Sequence, residues 1–258
     1  TPSALGDRLH LTLGGRWSED KREATLVMGT AAAGVITPTG VPGDGNKTYR
    51  NVSPTVVVAY DLADDVNVYA KVARGYKSGG FNTRANGIPR FNQGFKPEEL
   101  TSVELGLKSQ FLDNRIRFNL AVFDADYEDI QVNTSSVVGN PAITDVLNAG
   151  KAKIKGVEAE LTAVLLEGLT FHAIYGYPKP EYKELMGADG VNRATQYTPI
   201  NSPKNAWSLD LEYVFPWQLP GELSANLNYS WQDEMHTSTS NPTFLIPEYS
   251  LLNARLTL

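Results

Sequence analysis

Trp207-Ser-Leu-Asp-Leu-Glu-Tyr213 alternates apolar with polar residues, and Glu222-Leu-Ser-Ala-Asn-Leu-Asn-Tyr-Ser-Trp231 repeats the pattern. This alternation is typical of a β-strand whose two faces meet different environments, because successive side chains point to opposite sides. The same period recurs in Val103–Lys108 and in Arg115–Val122. We find no run in which apolar residues return every three or four positions, as they would in a helix. The sequence therefore predicts an all-β chain.

The connections between the predicted strands alternate between short and long. We predict ten strands, at about residues 7–17, 52–61, 66–77, 98–111, 115–130, 146–165, 169–178, 204–215, 221–232 and 247–258. The short connections are 61–65, 112–114, 166–168 and 216–220, and the long ones are 18–51, 78–97, 131–145, 179–203 and 233–246. Tight turns on one side and long loops on the other are typical of outer-membrane barrels. Pro178 and Pro180 cannot donate to a ladder and are predicted to mark a strand end.

The two faces of the predicted strands favour a membrane barrel. In the strand from Arg115, apolar side chains alternate with Arg115, Arg117 and Asn119. A dry core would accept such an inward face only at high cost, whereas a water-filled or plugged lumen accepts it. Aromatic residues cluster near both strand ends, as in the two girdles of such barrels: Tyr213, Phe215, Trp217, Tyr229 and Trp231. We predict part of an antiparallel transmembrane β-barrel, about ten strands with short periplasmic turns and long extracellular loops. A soluble β-sandwich is the alternative.

Composition excludes several function classes. The formal net charge is −6, with no basic footprint for nucleic acid, and there are no cysteines. The three histidines are far apart, and no nucleophile elbow or nucleotide-binding unit is present. The acidic run from Asp124 to Asp129 is interpreted as a solvated rim. We therefore expect no enzyme activity, no cofactor and no metal site.

Several segments resemble the C-terminal half of the barrel in TonB-dependent outer-membrane receptors. They occur in the order that this family uses, over most of residues 50–258. The segments are Tyr69-Ala-Lys-Val-Ala-Arg-Gly-Tyr-Lys-Ser-Gly-Gly-Phe-Asn82, Phe95-Lys-Pro-Glu-Glu-Leu-Thr-Ser-Val-Glu-Leu-Gly-Leu-Lys-Ser109, Arg115–Gln131, Asn148-Ala-Gly with Gly156-Val-Glu-Ala-Glu160, and Pro247–Leu256.

The resemblance implies uptake of a scarce nutrient across the bacterial outer membrane, most often a ferric siderophore, driven by the TonB complex acting on an internal plug. Residues 1–258 are then part of such a barrel, embedded in outer-membrane lipid. The family's plug, its TonB-contacting segment and its closing strands are not recognisable, so a longer natural protein or a truncated homologue is expected. Cobalamin and oligosaccharides remain alternative ligands. A passive porin and a purely structural barrel remain alternative functions.

Candidate site residues fall into two classes. Aromatic rings and arginines in the long loops suit ferric chelates that carry aromatic groups and negative charge. The candidate ligand contacts are Arg74, Tyr76, Phe81, Arg84 and Phe91, then Tyr182, Arg193 and Tyr197, and finally Trp231, Met235 and His236. By the resemblance, a charged network on the inner wall packs against the plug. Its candidate members are Glu104, Arg115, Arg117, Glu158 and Glu160. Girdle aromatics and solvated charges are the alternative interpretation of both sets.

Overall fold

One large antiparallel sheet forms most of the chain in the computed structural model, which describes residues 7–85, 87–135, 144–187, 189–217, 220–238 and 243–258. The strands are β1 Leu9–Leu26, β2 Gly29–Ala32, β3 Val35–Pro38, β4 Gly43–Ala63, β5 Val66–Lys77, β6 Glu98–Phe111, β7 Ile116–Ser135, β8 Thr144–Leu166, β9 Leu169–Leu185, β10 Ala206–Val214, β11 Ser224–Gln232, β12 Met235–His236, β13 Leu245–Ile246 and β14 Tyr249–Thr257.

The topology confirms the ten predicted strands. The large sheet has ten strands in the order β1-β4-β5-β6-β7-β8-β9-β10-β11-β14, and each pairs antiparallel with the next. The other four strands form two small hairpins inside the long connections. A single ten-stranded sheet contradicts the sandwich alternative, which needs two sheets packed face to face. Five parts of the predicted connections, residues 86, 136–143, 188, 218–219 and 239–242, lie outside the described residues.

Several strands extend well beyond the predicted bounds on the long-loop side. β1 and β4 remain paired up to Leu26 and Gly43, whereas the prediction places these segments in a loop. β7 likewise continues to Ser135. Beyond the membrane both strand faces meet water, so the apolar alternation disappears although the ladder continues. Hydrophobic periodicity therefore marks only the lipid-facing part of each strand.

The prediction that Pro178 and Pro180 end their strand is wrong. β9 continues through both prolines to Leu185, with Pro178 opposite Gly156 and Pro180 opposite Ile154 on β8. On its other side, β9 pairs with β10 only as far as Gly176. Both prolines lie beyond that point, where β9 is an edge strand and no ladder donor is needed.

In the middle of the sheet, the register places an all-apolar row on the outward face and a row that includes charged residues on the inward face. In one row across the sheet, Val58, Ala70, Leu105, Val122 and Val157 are successive partners and share the outward face. The row one residue away carries inward side chains of Val57, Lys71, Glu104, Phe123 and Gly156.

Aromatic residues lie at both ends of the outward face of β10 and β11. At the long-loop end, Trp207 stacks on Trp231 with ring centroids 6.1 Å apart. At the short-turn end, Phe215 lies 4.7 Å from both Tyr213 and Trp217. This arrangement confirms the prediction of aromatic groups near both ends.

In the part of the chain that the structure describes, helical structure is limited to short pieces in the loops. The helix α1 spans Ile88–Gln93, and a 3-10 turn spans Ala194–Gln196. The sequence analysis did not predict either. None of the helices in the described residues is long and apolar enough to cross a membrane.

The face assignment predicts unequal losses of stability for two neighbouring substitutions on β7. Leu120→Arg places a charge in the middle of the outward apolar band and should cost about 2–4 kcal/mol. Asn119→Arg, the matched control, points inward and should cost less than 1 kcal/mol, on the order of a typical surface change. Reversible unfolding of the full-length protein in lipid bilayers measures both. Equal costs would contradict the assigned register.

Candidate ligand vestibule

The connection between β5 and β6, residues 78–97, folds back over the inner face of the sheet; we call it the vestibule loop. The ring of Phe81 occupies space that Gly45 on β4 leaves open, since a Cβ at Gly45 would lie 2.5 Å from that ring. The Tyr49 hydroxyl donates a hydrogen bond to the Phe95 carbonyl at 3.0 Å. The loop is thereby fixed to β4 at two separate points.

The vestibule loop has a small apolar core of its own. Phe91 on α1 has no exposed surface, and its ring centroid lies 5.5 Å from that of Phe81. Gly94 ends α1 with φ +61°, and a Cβ there would lie 2.5 Å from the Gly80 carbonyl oxygen. Only glycine fits this close approach in a left-handed conformation.

A buried carboxylate ties the vestibule loop to β8. Asp145 is 1% exposed and accepts hydrogen bonds from Arg90 Nε and from Asn82 Nδ2, the latter at 2.7 Å. Arg90 also donates to the carbonyls of Gly94 at 2.8 Å and Val146 at 3.0 Å. Because these groups are shielded from water, removing one partner leaves the others without compensation.

A second buried carboxylate fixes the end of the loop. Glu98 is 2% exposed and accepts hydrogen bonds from the Tyr127 hydroxyl at 2.6 Å and the Gln131 backbone N–H at 2.7 Å. Lys77 Nζ lies 3.0 Å from Glu98. Burial raises the pKa of Glu98, but these three partners outweigh it and hold the pKa below its usual value of 4.5.

The side chain of Asn148 forms further hydrogen bonds to the backbone next to Glu98. Its side chain accepts a hydrogen bond from the Lys96 N–H at 2.7 Å and donates to the Lys96 carbonyl at 2.8 Å. It also donates to the Asp129 carbonyl at 2.9 Å. Three of the family-like segments, those containing Lys96, Asp129 and Asn148, therefore meet where the loop folds onto the sheet.

An open groove lies beside the vestibule loop, between the upper parts of β1, β4 and β5. Its volume is about 750 Å³, and four basic residues against two acidic ones give its lining a net charge of +2. The lining residues are Arg16, Trp17, Ser18, Glu19, Asp20, Arg22, Ser53, Arg74, Gly75, Tyr76, Lys77 and Ser78. We call this feature the basic groove. It opens because β5 pairs with β4 only as far as Ala73, whereas β4 itself continues upward.

Side chains of the basic groove are held by hydrogen bonds. The Tyr76 hydroxyl donates to Asp20 at 2.6 Å, and burial together with this carboxylate raises the pKa of Tyr76 to about 12. Arg22 donates from Nε and Nη2 to the Ser78 hydroxyl at 3.1 and 2.7 Å. Arg74 pairs with Glu99. Arg16 makes no ion pair within the described ranges, so its charge is available to an anion.

The structure separates the first group of candidate contacts into two sets. Arg74 and Tyr76 line the basic groove. Phe81 and Phe91 instead form the core of the vestibule loop, and Arg84 is exposed on that loop. Because Phe91 is fully buried, its predicted role as a ligand contact is wrong for this conformation; the ring stabilises the loop instead.

The second group lies where β9 leads into the next loop. Tyr182 is opposite Ala152 in the ladder, and burial raises its pKa. Arg193 pairs with Asp189, and its backbone N–H donates to the Leu185 carbonyl at 2.9 Å. Tyr197 follows the 3-10 turn. The ion pair and the backbone bond fold this loop back toward the end of β9.

The candidate contacts of the third group lie in different places, one on the outward face of the sheet and two in the following loop. Trp231 is the register partner of Trp207 and lies on the outward face, so it belongs to the aromatic girdle and its predicted ligand role is not supported. Met235 and His236 form the short strand β12 in the following loop. The Asn201 N–H donates to the His236 carbonyl at 2.9 Å. His236 Nδ1 is buried without a partner among the described residues.

The predicted inner-wall network is only partly formed. Glu104 accepts a hydrogen bond from Tyr69 at 2.7 Å and lies 3.5 Å from Lys71. Glu160 accepts from Asn119 at 3.3 Å, and Glu158 lies two residues along on the same inward face.

The two arginines of the predicted network lie toward the short-turn end. Arg117 lines an inward pocket of about 430 Å³ together with Asp64, Asp65 and Lys108. Arg115 precedes β7 and donates to the carbonyls of Val164 and Leu165, so it caps a turn. These backbone acceptors hold its guanidinium at the sheet end, and its place in the network stays a prediction.

Comparison with known proteins identifies the family. Residues 3–258 match the family described as TonB dependent receptor-like, beta-barrel. The chain belongs to this family. It is therefore part of a bacterial outer-membrane β-barrel, and the family is one of receptors and transporters rather than enzymes.

Two relatives of this TonB-dependent receptor barrel share limited identity with it. It is 25% identical over 209 residues to the metal-pseudopaline receptor CntO of Pseudomonas aeruginosa, covering 80% of this chain and 27% of that protein. It is 27% identical over 221 residues to the ferric-pyoverdine 358 receptor of Pseudomonas putida, covering 84% of this chain and 23% of that protein. The chain thus spans about a quarter of the length of these relatives.

A solved structure shares the fold. The ferric yersiniabactin uptake receptor FyuA from Yersinia pestis superposes with a TM-score of 0.73 at 23% identity. The superposition covers 98% of this chain and 36% of that receptor. The ten-stranded sheet therefore has the fold of a segment that makes up about one third of that receptor chain.

The main residues that sequence reasoning missed are Asp145 and Arg90. Nothing in the local sequence distinguishes either residue, since their contact joins positions 55 apart in the chain. Glu98 and Asn148 did carry a signal, because both stand in the family-like segments. The segments indicated the family, but their part in anchoring the loop appears only in three dimensions.

The buried ion pair predicts a large local effect of Asp145→Ala. Loss of this carboxylate leaves Arg90 and Asn82 without their partner and should cost about 3–5 kcal/mol of loop stability. Amide hydrogen exchange in residues 79–95 should then accelerate at least about 100-fold. The control Asp189→Ala removes a solvent-accessible ion pair in another loop and should leave exchange in residues 79–95 unchanged. Unchanged exchange in Asp145→Ala would disprove the anchoring role.

The lowered pKa of Glu98 predicts that the stability of the closed vestibule loop depends on pH. Its pKa is lower in the closed loop than the ordinary 4.5, so the carboxylate stabilises closure above pH 4.5. This contribution should disappear as the pH falls through the lower, folded-state value. Exchange rates of residues 79–95, measured as a function of pH and corrected for intrinsic exchange, should show this loss in the wild type and not in Glu98→Gln. Identical pH profiles would count against the assignment.

Proposed function

We propose that this chain forms part of the wall and ligand vestibule of a receptor that takes up a ferric siderophore in a TonB-dependent manner. The observation that carries the proposal is the basic groove, placed on the long-loop side of an outer-membrane receptor barrel. The names of the relatives, receptors for metal-pseudopaline and ferric pyoverdine, support a metal chelate as ligand.

The chemistry of the groove suits an anionic chelate. Arg16 and Arg22 provide guanidinium groups on the inner side of β1, and arginine forks match carboxylate and other planar oxygen ligands. Trp17 and Tyr76 add aromatic surface at the rim. Since Asp20 holds the Tyr76 hydroxyl and Ser78 holds Arg22, these side chains are oriented before a ligand arrives. Orientation in advance reduces the entropic cost of binding.

The remaining parts of the mechanism belong to the full-length receptor. We infer that the inner wall bearing Glu104, Glu158 and Glu160 contacts a plug domain, and that residues 1–258 contain no plug themselves. The TonB complex acts on that plug, while the wall stays fixed. The anchored vestibule loop then presents the groove to ligands in the medium.

Uptake by the full-length receptor tests the function. Cells that express it should accumulate radiolabelled ferric siderophore only when TonB is functional. Screening pseudopaline-type, catecholate and hydroxamate complexes identifies the chelate class. Uptake that is independent of TonB and equal for unrelated small solutes would favour a passive porin.

If the basic groove is the ligand site, loss of its arginines should weaken siderophore binding. In the receptor shown to be active, Arg16→Gln with Arg22→Gln should raise the half-saturating siderophore concentration roughly 10-fold or more, since two charge-assisted contacts are lost. Lys21→Gln, on the opposite face of the same strand, is the matched control and should leave uptake unchanged. An unaltered concentration dependence in the double variant would exclude the groove as the ligand site.

A further inference from the structure

Gly75 lies in the interior of β5 and lines the basic groove, although the fold does not require a glycine there. Its backbone is outside the left-handed region that favours glycine. A Cβ built on Gly75 would meet no atom within 4 Å among the described residues. Glycine in a strand interior weakens the strand, since it loses more conformational freedom on folding than other residues. A larger residue at this position would therefore fit the strand and stabilise it.

The neighbouring glycines differ from Gly75 because packing requires them. A Cβ at Gly79 would lie 2.2 Å from the Phe95 carbonyl oxygen, and a Cβ at Gly45 would lie 2.5 Å from the Phe81 ring. No such neighbour accounts for Gly75. A glycine in a strand also occurs where a ligand or another backbone approaches closely, and the described part of this chain brings no backbone to Gly75.

Small residues surround Gly75 on the inward face of the sheet. Ser53 lines the basic groove beside it. One step lower, Gly14, Thr55 and Ala73 are successive partners across β1, β4 and β5. No long side chain rises from these positions, so the groove stays open above the β5 backbone.

The edge of β5 at Gly75 has backbone groups to offer a ligand. Pairing with β4 ends at Ala73, whereas pairing with β6 continues to Lys77. Between these two residues, the N–H and C=O groups that point toward β4 have no ladder partner. An open strand edge binds extended ligands through such groups. A ligand above Gly75 therefore reaches this edge as well as the unpaired charge of Arg16 in the same groove.

We propose that Gly75 is a specificity-determining residue of the receptor. The space that it leaves holds one arm of the bound ferric chelate against the β5 backbone, while anionic oxygens of the chelate face Arg16. A side chain at position 75 would exclude that arm. The assignment rests on the proposed function of the basic groove, and it explains why β5 retains a glycine that weakens it.

Thiol labelling of the full-length receptor tests whether the space is open and whether a chelate fills it. Residues 1–258 contain no cysteine. With any other cysteine of the receptor replaced by serine, Gly75→Cys should react with a charged methanethiosulfonate added outside the cells. The probes are ferric enterobactin, ferric desferrioxamine B and ferric pseudopaline. The complex that the receptor takes up, at about ten times its half-saturating concentration, should slow the labelling about 10-fold.

Lys21→Cys is the control for labelling, because its side chain is 70% exposed on the opposite face of β1. Its reaction should be fast and should not respond to any of the complexes. The proposal is overturned if Gly75→Cys does not react, since another part of the receptor would then fill the space. It is also overturned if none of the three complexes slows the labelling.

A size series at position 75 separates a ligand role from a structural one. Valine suits a strand, so Gly75→Val should leave the unfolding midpoint of the receptor unchanged or raise it. The half-saturating concentration for uptake should rise at least about 10-fold, with a smaller rise for Gly75→Ala, because the added groups overlap the ligand. Gly15→Val is the matched control: its surroundings are equally open, but it lies on the outward face. Uptake by this control should match the wild type.

The outcomes distinguish this proposal from the function on which it rests. If Arg16→Gln with Arg22→Gln weakens uptake and Gly75→Val does not, the groove remains the ligand site and the role of Gly75 is wrong. If neither variant alters uptake, the groove itself is not the ligand site. A lower unfolding midpoint in Gly75→Val would show that the glycine serves packing, and would also overturn the proposal.

Discussion

Backbone N–H and C=O groups that meet lipid must find hydrogen-bond partners inside the protein, and the rest of this structure depends on that requirement. The ladder between β1 and β14 meets it for the strands that have neighbours on both sides, in an unbroken antiparallel order. The two prolines of β9 lie beyond Gly176, where one side of the strand has no neighbour. Side chains can vary freely only because the backbone is already satisfied, which leaves the inward face available for polar function.

Above the membrane, water relaxes this requirement, and different interactions take over. The vestibule loop is held by buried carboxylates, Asp145 and Glu98, rather than by a ladder. Apolar packing of Phe81 and Phe91 closes it against β4. A loop anchored in this way presents the basic groove in one arrangement. The transport role thus relies on a rigid wall below and a separately stabilised vestibule above.

The sequence predicted the parts of the fold that repeat locally. Alternation at Trp207–Tyr213 and Arg115–Val122 identified the strands, their faces and the aromatic girdles. It failed on β1 between 18 and 26, because a strand with water on both faces has no apolar period. The partners of Asp145 lie 55 and 63 residues away, so no local pattern could reveal them. The acceptors of Arg115 were hidden for a similar reason, because backbone carbonyls leave no trace in sequence.

The central claim is that alternate residues of one sheet face lipid and lumen. Nitroxide scanning of β7 from Arg117 to Val122, in the full-length receptor reconstituted in lipid bilayers, tests it most directly. The account predicts a period-two oscillation in which labels at Phe118, Leu120 and Val122 are accessible to oxygen dissolved in lipid. Labels at Arg117, Asn119 and Ala121 should be shielded from it. A flat profile, or an oscillation of opposite phase, would contradict the assignment of the two faces.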